Sequence, residues 1–91
     1  MKTIDIEKLT PAMRHFVETK NKNPEAYLFY RMGDFYELFF DDAIEVSSLL
    51  DLTLTKKSGR LEEKIPMCGV PFRVANQYIK RLVKKGYSVS V

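Results

Sequence analysis

Ala26-Tyr27-Leu28-Phe29-Tyr30 is an unbroken apolar, aromatic-rich run, and Gly33 stands three residues beyond it. A stretch with no polar residue has no face to offer water, so it predicts a central strand covered on both sides. Gly33 predicts a bulge or sharp bend, where missing side-chain bulk lets the backbone turn or a partner approach. Phe35–Leu38 then continues as a short extended piece. Side chains of an extended segment alternate, so Phe35 and Glu37 project together and Tyr36 points the other way.

The remaining elements follow from caps and periodicity. Residues 1–9 read as a loosely held arm. Thr10-Pro11 reads as a helix start, a hydroxyl cap followed by the residue that loses nothing at the first helical position. Met13, Phe16 and Val17 form a short apolar face, and Asn23-Pro24 ends the helix after Lys20 and Lys22. Asp41 and Asp42 open a second helix against its positive end, with Phe39, Ala43, Val46 and Leu50 as its stripe. Leu52-Thr53-Leu54-Thr55 alternates as a half-exposed strand, and Lys56–Glu63 is a polar connector with a turn at Ser58-Gly59. Lys64–Met67 predicts a strand ended by a Cys68-Gly69-Val70-Pro71 turn. Val74, Tyr78, Ile79, Leu82 and Val83 predict a third helix, stopped at Lys84-Lys85-Gly86. Tyr87, Val89 and Val91 alternate as a last strand, still in progress where the sequence stops, which suggests a fragment of a longer chain. The order predicts an α/β (α+β) class with a mixed β-sheet of about four to five short strands and about three packed helices.

The 91 residues make one domain of ordinary globular composition. The longest apolar run is far too short to span a bilayer, and the first residues lack an apolar signal core. Cys68 is the sole cysteine, so no internal disulfide forms, which fits a reducing cytoplasm. A net charge of +3 from 15 basic and 12 acidic residues is a mild excess, below the footprint of a strong nonspecific DNA binder.

Phe35 and Glu37 are the candidate site. A flat ring can enter a base stack, and a carboxyl group can test the hydrogen-bonding edge of the base beside it. On residue statistics alone a core phenylalanine and a surface glutamate are the commoner roles. Unstacking costs less where a step is already poorly stacked, so an inserting ring would sense that difference. Beside phosphates on normal duplex the Glu37 charge repels. Asp34, Glu37, Asp41 and Asp42 also supply raw material for a Mg²⁺ nuclease, but Asp41 and Asp42 are better explained by the helix start. His15 has no histidine partner, and Cys68 lacks a second cysteine at zinc or redox spacing, so both read as structural. Met67 is either core or a soft contact to a sugar edge. Lys56, Lys57 and Arg60 are solvated charges that can become phosphate contacts.

Residues 10–91 resemble the N-terminal mismatch-recognition domain of the MutS family of DNA mismatch repair proteins. The likeness rests on Thr10-Pro11-Ala12-Met13, Leu28-Phe29-Tyr30-Arg31-Met32-Gly33-Asp34-Phe35-Tyr36-Glu37 and Leu52-Thr53-Leu54-Thr55-Lys56-Lys57. It extends through Ile65-Pro66-Met67-Cys68-Gly69-Val70-Pro71 and the helix that follows. The resemblance implies that Phe35 is a wedge stacked on a mispaired base from the minor groove, and that Glu37 hydrogen-bonds that base. It places the segments of Lys57 and Pro66-Met67 near the DNA. The partners implied are double-stranded DNA with mispairs or small loops and the remaining MutS domains, with an isolated domain that is monomeric and binds weakly. The setting implied is cytoplasmic and nucleoid-associated, without a membrane. No phosphate-loop motif occurs in these residues, so no catalytic activity and no cofactor are expected in this chain; ATP and Mg belong to the full-length family protein. A relative that has lost DNA sensing and serves as a protein-interaction or structural module is the alternative.

Overall fold

The computed structural model describes residues 9–57 and 65–91. Helix α1 (Pro11–Lys22) starts at Thr10, whose side chain accepts a hydrogen bond from the Met13 amide at 3.3 Å, and Asn23 caps its end. The chain then forms β1 (Tyr27–Leu28), β2 (Tyr30–Met32) and β3 (Phe35–Phe39), followed by α2 (Phe40–Leu50) and β4 (Thr55–Lys57). After β5 (Ile65–Pro71) a single 3₁₀ turn at Phe72–Val74 leads into α3 (Ala75–Lys84), and β6 (Val89–Ser90) follows. Strands β2-β3-β5-β4 make an antiparallel sheet in that order, while β1 and β6 pair in parallel. The α+β class and the three helices agree with the sequence reading.

The large sheet has two different faces. Leu38, Cys68 and Val70 turn one way and pack with Val46 of α2 and Leu82 of α3. Phe39 and Ile65 turn the other way and meet Met13 and Phe16 of α1, with the Phe16 and Phe39 rings edge to face at 5.2 Å. The second cover lies at the Phe39 end of the face. At the opposite end, β3 begins with Phe35 paired to Pro71, and both residues are exposed.

Several expectations are corrected. The run Ala26–Tyr30 is not one central strand: it breaks at Phe29 into β1 and β2, which belong to separate sheets, and β2 is an edge. Leu28 enters the α1 core and Phe29 the α2–α3 core, so continuous apolarity here reflects a chain passing between two cores. The segment Cys68–Pro71 is not a turn but the second half of β5, an interior strand. Leu52–Leu54 is not a strand, because β4 starts only at Thr55 and takes in Lys56 and Lys57 from the expected connector. Phe39 is a strand residue rather than part of the α2 stripe, Val83 is 56% exposed, and Tyr87 and Val91 lie outside β6. Leu9 is buried against α1, whereas the rest of the expected arm and the Ser58-Gly59 turn lie outside the described residues.

Phe40 sits at φ 58°, a left-handed conformation costing a side chain of this kind about 1–2 kcal/mol. It turns β3 into α2 without a linker, and its ring lies 6.2 Å from that of Phe16.

Candidate nucleic-acid interface

The hairpin joining β2 to β3 has a loop of two residues, Gly33 and Asp34, flanked by the pair Met32–Phe35. Gly33 takes φ 60° at the first loop position, which suits the twist of a tight hairpin and is strained for any residue with a Cβ. The bend expected at Gly33 is therefore a hairpin turn that delivers Phe35 as the first residue of β3.

Register settles which side chains share a face. Phe35, Glu37 and Phe39 alternate with Tyr36 and Leu38 along β3. Tyr36 packs on the α2–α3 core, with its ring 6.2 Å from Phe29. Phe35 and Glu37 lie on the other face, and Phe35 stands outside the α1 core cluster. Phe35 is 46% exposed, one of seven large apolar side chains so placed among the described residues. The expected pairing of an open ring with a carboxyl group on one face is present.

Glu37 lies lower than a surface glutamate would. Its Oε1 is screened from solvent, and its cross-strand neighbour on β5 is Gly69. A Cβ at position 69 would stand 3.2 Å from the Tyr36 carbonyl oxygen and 3.5 Å from Glu37 Cγ. Glycine in the interior of a sheet weakens it and marks a close approach; here the approach is that of the Tyr36 backbone carbonyl, with the Glu37 stem in ordinary contact beside it. Gly69→Val is expected to lower stability by about 1–3 kcal/mol through overpacking, despite the strand preference of valine. Thermal melting followed by circular dichroism measures this, and an unchanged midpoint would show that the sheet has room.

Around this pair the face is apolar and soft. Met32 is opposite Phe35 on β2, and Met67 stands diagonal to Glu37 on β5, half-buried against the α1 core. Thr55 of β4 donates its hydroxyl to the Met67 carbonyl at 3.2 Å. Of the two readings given for Met67, the structure shows the core packing. Lys57 pairs through its backbone with Ile65 on the far edge strand; its side chain lies outside the described residues. Met32 and Gly69 were missed by the sequence reading, although a two-residue loop at Gly33-Asp34 would have implied the Met32–Phe35 pair.

The acidic residues do not assemble. Asp42 is buried, bridges to Lys20 Nζ at 2.8 Å and accepts the Leu28 amide at 3.0 Å, so its carboxylate is turned into the fold. Among the described residues no group of three or more His, Cys, Asp or Glu side chains is placed to hold a metal ion. Burial pushes the Cys68 thiol up to about 11, with Asp42 adding in the same direction, so it stays protonated at neutral pH. His15 Nδ1 lies 2.7 Å from the Tyr30 hydroxyl, an ordinary surface pairing. Among the described residues no helix is long and apolar enough to cross a membrane.

Comparison with known proteins gives the family of this chain. The sequence model of MutS domain I matches residues 10–91. A DNA mismatch repair protein MutS of Clostridioides difficile (strain 630) is 52% identical over 88 residues, covering 97% of this chain and 9% of the relative. Those of Rhizobium meliloti (strain 1021) and Alkaliphilus oremlandii (strain OhILAs) are each 54% identical, over 90% and 94% of this chain and 9% and 10% of their own lengths. The chain therefore spans about a tenth of the length of these curated relatives. A match to domain I over residues 10–91, with more than half of the residues shared, means that this chain belongs to the MutS family as its domain I.

Proposed function

We propose that this chain is a binding module for mismatched double-stranded DNA in mismatch repair, with no catalytic step of its own. The observation that carries the reading is the exposed Phe35 ring sharing an open sheet face with Glu37. Phe35 stacks on a mispaired base from the minor groove. The ring enters where stacking is already compromised, so the unstacking cost of a few kcal/mol falls and the duplexes are told apart by that difference. A π face accepts any base, which a sensor of many mispairs and small loops requires. Glu37 meets the hydrogen-bonding edge of the same base.

Met67 and Lys57 are contacts of second rank, Met67 against the sugar edge and Lys57 at the phosphates. The other MutS domains hold and bend the duplex inside the cell, so the module alone is a weak, monomeric binder. ATP and Mg act in those other domains.

Glu37→Gln is expected to change the ranking among mispairs several-fold, roughly 1 kcal/mol in the ratio, while overall affinity moves less. Binding to matched duplex should tighten slightly as repulsion from the backbone phosphates is removed. Titration of a panel of mispaired duplexes against full-length MutS carrying these residues measures both effects. Ratios that stay constant across the panel would defeat the role given to Glu37.

A further inference from the structure

The turn that carries Phe35 is held from behind by two residues with no part in the core. Arg31 places its guanidinium 3.7 Å from the centroid of the Phe72 ring and donates its Nε–H to the Gly33 carbonyl. Phe72, 45% exposed, donates its backbone N–H to the Asp34 carbonyl at 2.7 Å. Both carbonyls of the two-residue loop are thus taken by protein donors, one from the Arg31 side chain and one from the Phe72 backbone, and the guanidinium lies over the Phe72 ring. The Phe72 ring in turn leans on Tyr36 at 5.5 Å, which ties the assembly to the α2–α3 core.

We propose that Arg31 and Phe72 are positioning residues for mismatch discrimination, forming a clamp that fixes the Gly33-Asp34 turn and so the direction of the Phe35 ring. The inference rests on the reading of Phe35 as the wedge. Hairpin loop carbonyls ordinarily bond to water, and such a loop costs the fold nothing if it wavers. Here an arginine gives up its rotamer freedom at an exposed site to hold one of them. A wedge that is ordered before DNA arrives has no ordering entropy left to lose on insertion. That saving applies only where the ring inserts, at a mispair. Loosening the clamp therefore weakens mispair binding and leaves matched-duplex binding alone, so the ratio falls.

The guanidinium is also a cation near the proposed DNA surface, and a phosphate contact is the competing role. Substitution by lysine separates the two. Lysine keeps the charge but has neither a planar fork to stack on Phe72 nor an Nε–H at that position. Full-length MutS carrying these residues as domain I is titrated with mispaired and matched duplex over a range of salt, using Arg31→Lys, Arg31→Ala, Phe72→Leu and Phe72→Tyr. In parallel, amide exchange at Phe72 is followed in the 91-residue chain. Arg31→Lys, Arg31→Ala and Phe72→Leu are each expected to lower the mispair-to-match ratio about fivefold and to speed Phe72 amide exchange, with no change in salt slope. Phe72→Tyr keeps the ring and should retain the parent ratio.

A ratio preserved in Arg31→Lys, with a salt slope smaller by about 0.9 in Arg31→Ala, would make Arg31 a phosphate contact and overturn the clamp. Unchanged amide exchange in Arg31→Lys and Phe72→Leu would overturn it as well, without reference to DNA. Phe35→Ala, run alongside, reports on the wedge itself: if it keeps the parent ratio, the wedge reading fails, whatever the exchange data say about the turn.

Discussion

Phe35→Ala is expected to lower the preference for mispaired over matched duplex on the order of 10- to 100-fold, the equivalent of losing one base–aromatic stack of roughly 1–3 kcal/mol. The fold should survive. The ring is 46% exposed and begins its strand at the open end of the sheet, outside both core clusters. Its loss should shift stability within the small range usual for surface substitutions, about 0.5 kcal/mol either way. Two measurements suffice: titration of both duplexes with full-length MutS carrying the substitution, and thermal melting of the chain by circular dichroism. Cooperative melting near the parent midpoint together with an unchanged binding ratio would end the wedge reading. A chain that no longer melts cooperatively would show instead that the ring serves packing.

The largest stability effect is expected at Asp42. Its two oxygens join three elements: Oδ1 faces Lys20 of α1, and Oδ2, carried on α2, accepts the Leu28 amide of β1. Lys20 also donates to the Ala26 carbonyl at 2.6 Å. The side chains are 16% and 7% exposed, so water replaces little of what either would lose. Removing one partner of a buried pair leaves the other charge unmatched, and Asp42→Ala should cost about 3–5 kcal/mol. For a domain of this size that lowers the melting midpoint by more than about 10 °C. Asp42→Asn keeps an acceptor for the Leu28 amide and should cost less. Denaturant unfolding of the two variants distinguishes them, and equal midpoints for alanine and the parent would mean that the pair contributes nothing net.

Much of the fold was legible because its signals are local. Thr10 and Asn23 act through hydrogen bonds within one turn of α1 and Pro11 through its fixed backbone angle, and the helix runs between them as expected. Phe35 and Glu37 share a face because alternation is a property of the strand itself. What the sequence hid depends on partners distant in the chain. Ala26–Tyr30 looks like one strand, yet its two halves are claimed by different neighbours, β6 for Tyr27–Leu28 and β3 for Tyr30 onward. Cys68–Pro71 reads as a turn from its glycine and proline, but Gly69 sits in an interior strand, where the Tyr36 carbonyl of the adjacent strand comes close. Asp42 reads as a helix-start acid, and nothing near it in sequence announces Lys20 or the Leu28 amide. Lys57 was found by resemblance, and the backbone gives it only a place on the outer strand.

The parallel pairing of β1 with β6 sets an order on biosynthesis. The amides of Tyr27 and Phe29 find their acceptors at Ser88 and Ser90, at 2.9 Å each, so they must wait until almost all of these residues have left the ribosome. Until then the nascent domain carries an open strand edge beside the hairpin that bears Phe35, and contacts this distant are slow to close. Conditions that slow elongation through residues 75–90 should therefore prolong chaperone occupancy on the nascent chain.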